Sequence, residues 1–483
     1  MKFSRLASAL PDCEVIASND PEITRIDYDS RQAEPGSLFI AIPGEVSDGH
    51  NYISKAVENG AVAVVAQWRF DKHICKNAII VPESRTAMAI LSSELMGHPD
   101  RDLNTIGVTG TNGKTTTISI LFNIFKERFG NAGMIGTLGG QIGDETFTLE
   151  RTTPESPDIY KLLAKMQLSG CKAAAMEVSS HALALKRVYG MRFRVAAFTN
   201  FSQDHLDFHG DLESYFLTKA SLFQEYDVED AVINIDDSYG RRVQELTDIP
   251  TLTYSLSASA DIAVEKVDYS MDGIRMTALT PNGRLSFTSP LIGTFNASNL
   301  LCALAVSEVM DIPHDCFKKA VSKFSGVPGR MERIEIGNRW IYIDYSHTPE
   351  ALALALKELR RIVPGEVHVL FGCGGNRDQQ KRPLMGKAAD EFSDKVYITT
   401  DNPRDEDPGH IIDDIMEGIK HSENTTRIID RREAINCALS NLPEKGGILI
   451  AGKGHEKYQE IKGVRYPMDD HEEVHNYIAN TLK

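Results

Sequence analysis

No run of about 18 apolar residues occurs in this sequence, and Met1–Ala7 lacks the continuous apolar core of a secretory signal. These absences predict that the chain neither spans nor inserts into a membrane. Cysteine is scarce as well: the 7 cysteines are scattered and odd in number, without a Cys-x-x-Cys pair. Such usage predicts no structural disulfide and no zinc site, and it favours a cytoplasmic location.

Positive charge is the next shortage. The 52 lysine and arginine residues are outnumbered by 68 acidic residues, so the formal net charge is −16. This balance excludes a general affinity for nucleic acid or for an anionic membrane surface. An anionic substrate therefore has to be bound by cations placed locally in its site.

Repeats and low-complexity tracts are absent too. The length of 483 residues suggests three domains, and 42% apolar residues can fill their cores.

The most informative stretch that is present runs from residue 106 to residue 116. A short β-branched segment ends in glycines, and Lys114 and Thr115 follow where helical apolar spacing begins. Backbone N–H groups at such a helix start bind phosphate. Lys114 is predicted to reach the β- and γ-phosphates, and Thr115 to bind Mg²⁺. The strict motif has glycine where this chain has Val108, so a glycine turn capped by Thr115 is the alternative. The strand–loop–helix context favours a protein that uses ATP or GTP.

Alternating apolar strands and helical patterns predict an α/β protein. Residues 1–100 contain the short buried-strand runs of a small α/β domain, and the polar segment His98–Asp102 is predicted to be a linker. Residues 101–329 add further parallel strands and, between 250 and 290, a strand-rich stretch that predicts an antiparallel addition. The alternation of strands and helices then restarts and continues through residues 330–483.

Four strands of this last region end in polar or glycine-rich loops, at residues 344–347, 372–377, 401–404 and 451–456. Ligands bind at the carboxyl ends of strands in open parallel sheets, so one ligand site is predicted at this edge. The second loop lacks the G-x-G-x-x-G spacing, which argues against a dinucleotide site. Arg404 is suited to bind a carboxylate through two parallel hydrogen bonds. A surface arginine paired with Asp405 or Glu406 is the alternative.

Other residues that can carry chemistry lie in the central region. Glu177 ends an apolar strand, where a nucleotide metal needs an oxygen ligand; a solvated loop glutamate is the alternative. His205 belongs to a segment rich in metal-ligand residues. That segment lacks H-E-x-x-H and equally fits a polar loop before a helix. Lys219 follows Tyr215 by one helical turn on a predicted helix, and most lysines of that kind are solvated.

Taken together, these stretches resemble the Mur ligases, the ATP-dependent enzymes that add amino acids in peptidoglycan synthesis. The matching stretches are residues 110–116, 152–154, 177–181 and 200–209, Tyr215 with Lys219, and residues 295–299 and 329–332. Within the family, the chain is similar to the ligases that add the third residue of the stem peptide. Asp401-Asn402-Pro403-Arg404 resembles the signature of those that add meso-diaminopimelate.

The resemblance implies a uridine-nucleotide domain at residues 1–100, a P-loop ATPase domain at 101–329 and a Rossmann-like domain at 330–483. It implies that ATP activates the D-glutamate carboxylate of UDP-N-acetylmuramoyl-L-alanyl-D-glutamate as an acyl phosphate. The amine of diaminopimelate then attacks, which yields an amide, ADP and phosphate. It further implies bound Mg²⁺, a CO₂-derived carbamate on Lys219, small-molecule substrates only and a monomer.

Site residues follow from the same resemblance. The implied catalytic residues are Lys114, Glu177, His205 and Lys219, and the implied metal ligands are Thr115, Glu177, His205 and the carbamate of Lys219. The implied ATP-binding residues are Gly110, Thr111, Asn112, Gly113, Lys114, Thr115, Thr116, Asn296, Arg330 and Asp344. The implied contacts to the UDP-linked substrate are Ser30, Thr152, Thr153, Ser179 and Arg187. The implied contacts to diaminopimelate are Arg377, Asp401, Asn402, Arg404, Gly452 and Glu456.

One position departs from the family pattern, since Leu185 stands where some relatives carry a glutamine near the substrate. No role is assigned to the variable segment Glu45–Ser47 of the uracil site. Two alternatives remain open: a homologue that adds L-lysine, and a P-loop ATP-binding switch without ligase activity. A folylpolyglutamate synthetase is a further alternative, but residues 401–404 and the N-terminal domain argue against it.

Overall fold

The computed structural model describes residues 1–44, 47–71 and 73–481. Glu45 and Val46 of the predicted uracil site lie outside the described residues. The chain forms two compact units. The first unit comprises residues 1–201, 213–262 and 302–317, and the second comprises residues 202–212, 263–301 and 318 onward. The three domains with boundaries at residues 100 and 329 stay a prediction.

The first unit begins with a small sheet. Its strands, in spatial order, are Glu14–Ile16, Ala78–Ile80, Ala63–Ala66, Ser37–Ile40 and Arg25–Asp27. All neighbours are parallel except the first pair. Strands 37–40 and 63–66 are buried on both faces, as the continuous apolar runs predict.

A larger sheet follows in the same unit. Its strands, in spatial order, are Thr251–Ser255, Asp227–Asn234, Arg192–Phe198, Asn104–Thr109, Ala173–Glu177, Gly133–Gly136, Gly139–Ile142 and Glu145–Phe147. The first six are parallel, and the last two continue antiparallel. The strand that precedes the phosphate-binding loop is therefore central, which places the loop at the carboxyl edge of the sheet.

The second unit contains three antiparallel strands, Ile262–Ser270, Gly273–Thr280 and Gly283–Ser289. The last of them alternates between exposed and buried side chains, as a strand with one covered face does. The antiparallel addition predicted between residues 250 and 290 is confirmed for these strands. Strand Thr251–Ser255 instead pairs in parallel with Asp227–Asn234 in the first unit.

The sheet that ends the chain has six strands. In spatial order they are Glu332–Ile336, Arg339–Asp344, Gly447–Ala451, Val367–Phe371, Lys395–Ile398 and Thr425–Arg427. Only the first pair is antiparallel. A separate hairpin joins Tyr458–Ile461 to Val464–Pro467. The predicted fold class, α/β with mostly parallel sheets and a β-rich addition, is confirmed.

The helices connect these strands. They are Phe3–Ala7, Ile53–Glu58, Ser84–Met96, Pro99–Asp102, Lys114–Phe129, Ser156–Leu168, Ser180–Ala184, Leu206–His209, Leu212–Ala220, Ser238–Leu246, Thr294–Val309, His314–Lys323, Pro349–Ile362, Lys381–Phe392, Pro408–Met416, Arg431–Ser440 and Asp470–Thr481. Short 3₁₀ turns lie at Ser30–Gln32, Gly49–Tyr52, Ser221–Phe223 and Ser422–Asn424. Among the described residues, none of the helices combines the length and the apolarity that a membrane crossing requires.

The segment His98–Asp102 is not the polar linker that its composition predicts. Residues Pro99–Asp102 form one helical turn, with proline at its first position. Asp100 is buried and its Oδ2 accepts a hydrogen bond from Arg192 N at 2.9 Å. Burial raises the pKa of the Asp100 carboxyl. The acidic side chain thus ends in a packed contact, which its local sequence does not indicate. All 7 cysteines lie within the described residues, and none forms a disulfide, as predicted.

A buried ion pair joins the last helix to helix Arg431–Ser440, next to the final sheet. Arg431 donates to both carboxylate oxygens of Asp470 at 2.7 Å, and neither side chain is exposed. The guanidinium also donates to Thr400 O at 3.4 Å and to Ala451 O at 3.0 Å. These carbonyls lie at the ends of two strands that carry predicted ligand loops. The pair therefore fixes the backbone from which those loops start.

We expect Asp470→Ala to lower the free energy of unfolding by about 3–5 kcal/mol, because the buried guanidinium loses its counter-charge. The matched control is Glu473→Ala, which breaks the more exposed Arg432–Glu473 contact on the same helices and should cost about 1 kcal/mol or less. Urea unfolding followed by Trp340 fluorescence measures both, in a Trp68→Phe background that leaves one of the 2 tryptophans. Equal losses in the two variants contradict the assignment.

Candidate functional site

The phosphate-binding motif lies between a central strand and a helix of the first unit. Strand Asn104–Thr109 leads into the loop, and helix Lys114–Phe129 begins directly after Gly113. Gly110 has φ 141°, and a Cβ on it would stand 2.0 Å from Thr199 Oγ1. Only glycine fits there, so the backbone can turn as a phosphate-binding loop requires.

The segment that follows the neighbouring strand Arg192–Phe198 holds this loop in place. Asn200 Oδ1 accepts from Asn112 N at 2.9 Å, and Asn200 O accepts from Thr111 N at 2.9 Å. The Thr199 hydroxyl donates to Asn112 O at 2.6 Å. Sequence reasoning missed Thr199. The available signal was its place at the end of a parallel strand close to the loop.

Two lysines converge on the carbonyl oxygen of Gly110. Lys114 Nζ donates to this oxygen at 2.9 Å and to Thr111 O at 2.7 Å. Lys219 Nζ donates to the same Gly110 oxygen at 2.9 Å and lies 4.8 Å from the centre of the Tyr215 ring. Lys219 is only 1% exposed, so the solvated alternative for this lysine is wrong. A cation buried against a phosphate-binding loop is placed to act on the loop or on what it binds.

Glu177 and Thr115 meet beside the same loop. Glu177 ends strand Ala173–Glu177, which pairs in parallel with the strand that precedes the loop. Its Oε1 accepts from the Thr115 hydroxyl at 2.9 Å and from Thr137 N at 2.8 Å. The residue is 1% exposed, so the alternative of a solvated loop glutamate is wrong. A carboxylate and a hydroxyl side by side form an oxygen donor set that suits Mg²⁺.

The other predicted metal ligand, His205, belongs to the second unit and is 44% exposed. Its Nε2 lies 3.4 Å from Asp204 Oδ2. Across residues 1–44, 47–71 and 73–481, no cluster of three or more His, Cys, Asp or Glu side chains is arranged to hold a metal ion. Of the predicted ligands, only Glu177 and His205 are of these types, so the metal role of the set stays a prediction.

Three of the residues predicted to contact the UDP-linked substrate are together in the first unit. Thr153 Oγ1 donates to Glu177 O at 2.9 Å and lies 3.1 Å from Ser179 Oγ. Arg187 Nη1 donates to Thr153 O at 3.0 Å. These contacts connect the predicted substrate residues directly to the strand end that carries Glu177.

The remaining two have other partners. Thr152 Oγ1 lies 3.1 Å from Oγ1 of Thr137, and the backbone N–H of the same Thr137 donates to Glu177. Ser30 is buried in a 3₁₀ turn, and its carbonyl accepts from Asn59 Nδ2 at 2.8 Å. Ser30 therefore sits in the small N-terminal sheet region, and its substrate role stays a prediction.

Sequence reasoning predicted Arg187 but missed Arg85 and Arg151, the two arginines that cluster with it beside Thr153. Glu155, which is 3% exposed, accepts from Arg85 at 3.0 Å, from Arg151 at 2.6 Å and from Arg187 at 3.1 Å. Burial lowers the pKa of Arg187, the other arginines add to this, and Glu155 opposes it. One carboxylate does not balance three guanidiniums. The excess gives this cluster a local positive charge, which favours the binding of anions.

The loops predicted at one sheet edge do lie together in the second unit. Their strands are parallel neighbours in the final sheet, so their carboxyl ends meet. Asn402 Nδ2 donates to Glu456 Oε2 at 2.8 Å, and Gly452 N donates to Asp344 O at 3.1 Å. Gly452 has φ 107°, and a Cβ on it would stand 2.7 Å from Asp401 Oδ2. Glycine is needed at this position because the acidic side chain approaches so closely.

Arg404 does not pair with its chain neighbours. Its Nη1 donates to Gly375 O at 2.7 Å, and its Nε lies 3.6 Å from Glu460 Oε2. Glu406 is instead paired with the buried Arg382, at 2.9 Å. The alternative of a surface arginine paired with Asp405 or Glu406 is therefore wrong. Arg404 also has φ 49°, a strained left-handed conformation of the kind that clusters at binding sites.

Arg377 is exposed on the neighbouring loop. A Cβ on Gly374 would stand 3.0 Å from Arg404 Nη1 and 3.6 Å from Arg377 Cγ. The two predicted carboxylate-binding arginines thus flank one glycine. The side chain of Arg377 is exposed, whereas Arg404 is held by Gly375 O.

The predicted ATP residues of the second unit occupy ordered positions. Asp344 Oδ2 accepts from Met331 N at 2.8 Å, which fixes the segment after Arg330. The Arg330 guanidinium lies 4.6 Å from the centre of the Tyr345 ring, and burial raises the pKa of Tyr345 to about 12. Asn296, 3% exposed, donates to Ile292 O at 2.8 Å. Asn296 lies in the first turn of helix Thr294–Val309.

These features define an α/β enzyme with a phosphate-binding loop and a second ligand edge on another parallel sheet. Three family descriptions match the chain. Residues 22–93 match "Mur ligase family, catalytic domain", residues 108–307 match "Mur ligase middle domain", and residues 329–454 match "Mur ligase, glutamate ligase domain".

Relatives match nearly the whole chain. A protein of Bacillus licheniformis named UDP-N-acetylmuramoyl-L-alanyl-D-glutamate–2,6-diaminopimelate ligase is 40% identical over 481 residues, 98% of each chain. A protein of the same name from Gloeobacter violaceus is 43% identical over 464 residues, 95% of this chain and 94% of its own. A solved structure of an enzyme with this name is 34% identical, with a TM-score of 0.69, and the match covers 95% of this chain and 96% of that one.

The chain belongs to the Mur ligase family. The family, the fold class and the ligase class predicted from sequence are confirmed. The roles of individual site residues stay predictions.

Proposed function

We propose that this chain is the ATP-dependent ligase that adds meso-diaminopimelate to the D-glutamate of UDP-N-acetylmuramoyl-L-alanyl-D-glutamate, a step of peptidoglycan precursor synthesis. The names of its relatives support this substrate set. The observation that carries it is the position of Arg404, held by Gly375 O on the sheet edge that also bears Asp401 and Glu456. A guanidinium beside carboxylates complements an amino acid that carries both an ammonium and a carboxylate group.

The proposed reaction has two balanced steps. A D-glutamate carboxylate oxygen bonds the γ-phosphorus of ATP as the bond from this phosphorus to ADP breaks, which gives an acyl phosphate. The amine of diaminopimelate then bonds the acyl carbon, a proton leaves the nitrogen, and phosphate departs. Lys114 and the loop N–H groups bind and orient the phosphates and offset the charge that develops on the transferring group.

Mg²⁺ is proposed as the metal of this reaction. Thr115 and Glu177 fit it, because their oxygens already lie side by side at the loop. When bound there, the ion neutralises charge on the phosphoryl oxygens. His205 is proposed as a further ligand on the resemblance to the family alone.

Lys219 is proposed to carry a carbamate, formed when its Nζ bonds the carbon of CO₂ and loses a proton. An ammonium group has no acceptor, whereas a carbamate supplies anionic oxygens that suit Mg²⁺. The burial of Lys219 against Gly110 O supports this carbamate proposal, because lysine side chains are seldom buried unless they are paired.

The remaining assignments complete the proposal. Thr153, Ser179 and Arg187, with the arginines around Glu155, are proposed to bind the anionic UDP-linked substrate. The three predicted domains are proposed to bind uridine nucleotide, ATP and amino acid in chain order. The enzyme is proposed to act as a cytoplasmic monomer on small-molecule substrates.

Phosphate release tests the ligase assignment against an ATP-binding switch. Release that requires both the UDP-linked dipeptide and diaminopimelate, with mass spectrometry of the tripeptide product, supports the ligase. ATP hydrolysis that is indifferent to both substrates contradicts it.

We expect Arg404→Ala to raise the KM for diaminopimelate by about 100-fold, because the distal carboxylate loses its paired charge. The KM for ATP should stay within about twofold, since the phosphate-binding loop is untouched. The matched control is Arg427→Ala, which removes an exposed arginine paired with Asp413 in the same unit. Initial rates with diaminopimelate and with L-lysine measure the discrimination. A wild-type enzyme that uses lysine as readily contradicts the diaminopimelate assignment.

A further inference from the structure

We infer that Lys453 is the positioning residue of the amino-acid site and that it aims the carboxylate of Glu456 at the ammonium group of the incoming amino acid. This inference rests on the proposed function, because it deepens the role of Asn402 and Glu456 in that site. Lys453 lies in the fourth loop of the ligand edge, and neither the sequence motifs nor the proposed contacts assign it a role.

The ammonium group of Lys453 is fully enclosed. Its side chain is 0% exposed, although lysine is among the residues least often buried without a partner. Nζ donates to Glu456 Oε2 at 3.2 Å and to Asn402 Oδ1 at 3.3 Å. It lies 5.7 Å from the centre of the Tyr458 ring. The Lys453 ammonium group is thus buried beneath Glu456 and Asn402, the two side chains that belong to the proposed ligand edge.

Asn402 completes a closed triangle with these groups. Its Nδ2 donates to the same Glu456 Oε2 at 2.8 Å. Its Oδ1 accepts from Lys453 Nζ and also from Glu460 N at 2.9 Å. The amide orientation is therefore fixed, because its oxygen meets two donors and its nitrogen meets an acceptor.

The triangle leaves one carboxylate oxygen of Glu456 for a ligand. Oε2 accepts both hydrogen bonds, whereas Oε1 accepts none from the part of the chain that the structure describes. Glu456 is 20% exposed, so this oxygen can be reached from the ligand edge. A carboxylate fixed through one oxygen presents the other at a defined position, as a site for an ammonium group requires.

Structural stabilisation alone does not account for this lysine. A buried ion pair is weak evidence for stability, because desolvation of the ammonium offsets much of its attraction to Glu456. Burial lowers the pKa of the neighbouring His455 to about 4, and the charges of Arg330 and Lys453 add to this shift. His455 stays neutral near pH 7, so Lys453 is the fixed cation of this loop.

The test is Lys453→Met in the full-length enzyme. We expect the KM for diaminopimelate to rise by about tenfold or more, since Glu456 and Asn402 lose a charged donor. The values of KM for ATP and for the UDP-linked dipeptide should stay within about twofold, and kcat should fall less than the KM rises. The matched control is Lys457→Met, four residues along and 81% exposed, which should leave all constants unchanged.

A double-mutant cycle with Glu456→Gln separates positioning from general damage. If Lys453 acts through Glu456, the double variant should be no worse than about twofold beyond the more damaged single variant. Fully additive losses, or equal effects on the KM values of all three substrates, overturn the inference.

Lys453→Gln is the second variant, because it keeps a donor but loses the charge. If neither variant folds, as judged by thermal melting, Lys453 is a stability residue and the inference fails. A wild-type enzyme that does not use diaminopimelate contradicts the proposed function and not the role of Lys453. The same cycle measured with the amino acid that it does use then decides on Lys453.

Discussion

Replacing Lys114 with methionine is expected to lower kcat by about 10³-fold, the largest loss of any single change at the phosphate-binding loop. In the structure its Nζ folds over the loop and donates to Gly110 O and Thr111 O. The ammonium is therefore already beside the backbone groups that bind phosphate. Methionine retains the length of the side chain but offsets no charge on the transferring phosphoryl group. Steady-state phosphate release with all three substrates saturating measures the effect.

Lys126→Met is the matched control, on the same helix and paired with Asp144. It should change kcat by no more than about twofold, since surface substitutions rarely cost more. Melting temperatures of both variants should remain close to that of the wild type. A Lys114→Met enzyme with nearly normal turnover would show that this loop does not serve phosphoryl transfer.

Lys219→Ala is expected to reduce kcat by a similar factor, about 10³-fold, because the proposed carbamate oxygens are lost from the metal site. Because Lys219 is buried, its truncation to alanine leaves a cavity where the side chain was. A small carboxylate such as propionate can enter that cavity and supply the missing oxygens. Partial recovery of phosphate release with increasing propionate is therefore the expected result.

Lys219→Met tests whether the cavity matters. Its side chain fills the space, so propionate should restore nothing to this variant. Recovery in both variants points to a general salt effect and contradicts the carbamate, as does an alanine variant that is fully active. Mass spectrometry of the intact wild-type protein under CO₂ gives a direct second measurement, since the modification adds the mass of one CO₂.

The features that sequence reasoning predicted well are those that depend on local pattern. The strand, glycine turn and helix around Lys114 follow from residues close together in the chain, and the structure has them in place. The ligand edge of the final sheet was predictable for a similar reason. Parallel strands must end at a common edge, so polar loops after successive strands had to meet there.

What local residue patterns alone did not indicate depends on contacts between distant segments. Lys219 looks like a surface lysine until its helix packs beneath Gly110, 109 positions earlier in the chain. Lys453 meets Asn402 across a separation of 51 residues. Asp100 reads as part of a polar linker because the backbone N–H that it binds belongs to Arg192. Composition cannot indicate such partners, since burial of a charge is decided by the tertiary fold.

The Gly110 carbonyl, which accepts from both Lys114 and Lys219, has a thermodynamic consequence. With both side chains as ammonium groups, this point of the loop attracts a bare polyanion such as free ATP. The proposed carbamate on Lys219 would reverse one of the two charges, so that the pair would sum to zero. Part of the attraction for the nucleotide would then come from the cation that the carbamate helps to bind. By linkage, ATP and Mg²⁺ must raise each other's affinity by the same factor. The proposed modification would thus strengthen the coupling between the binding of ATP and the binding of Mg²⁺.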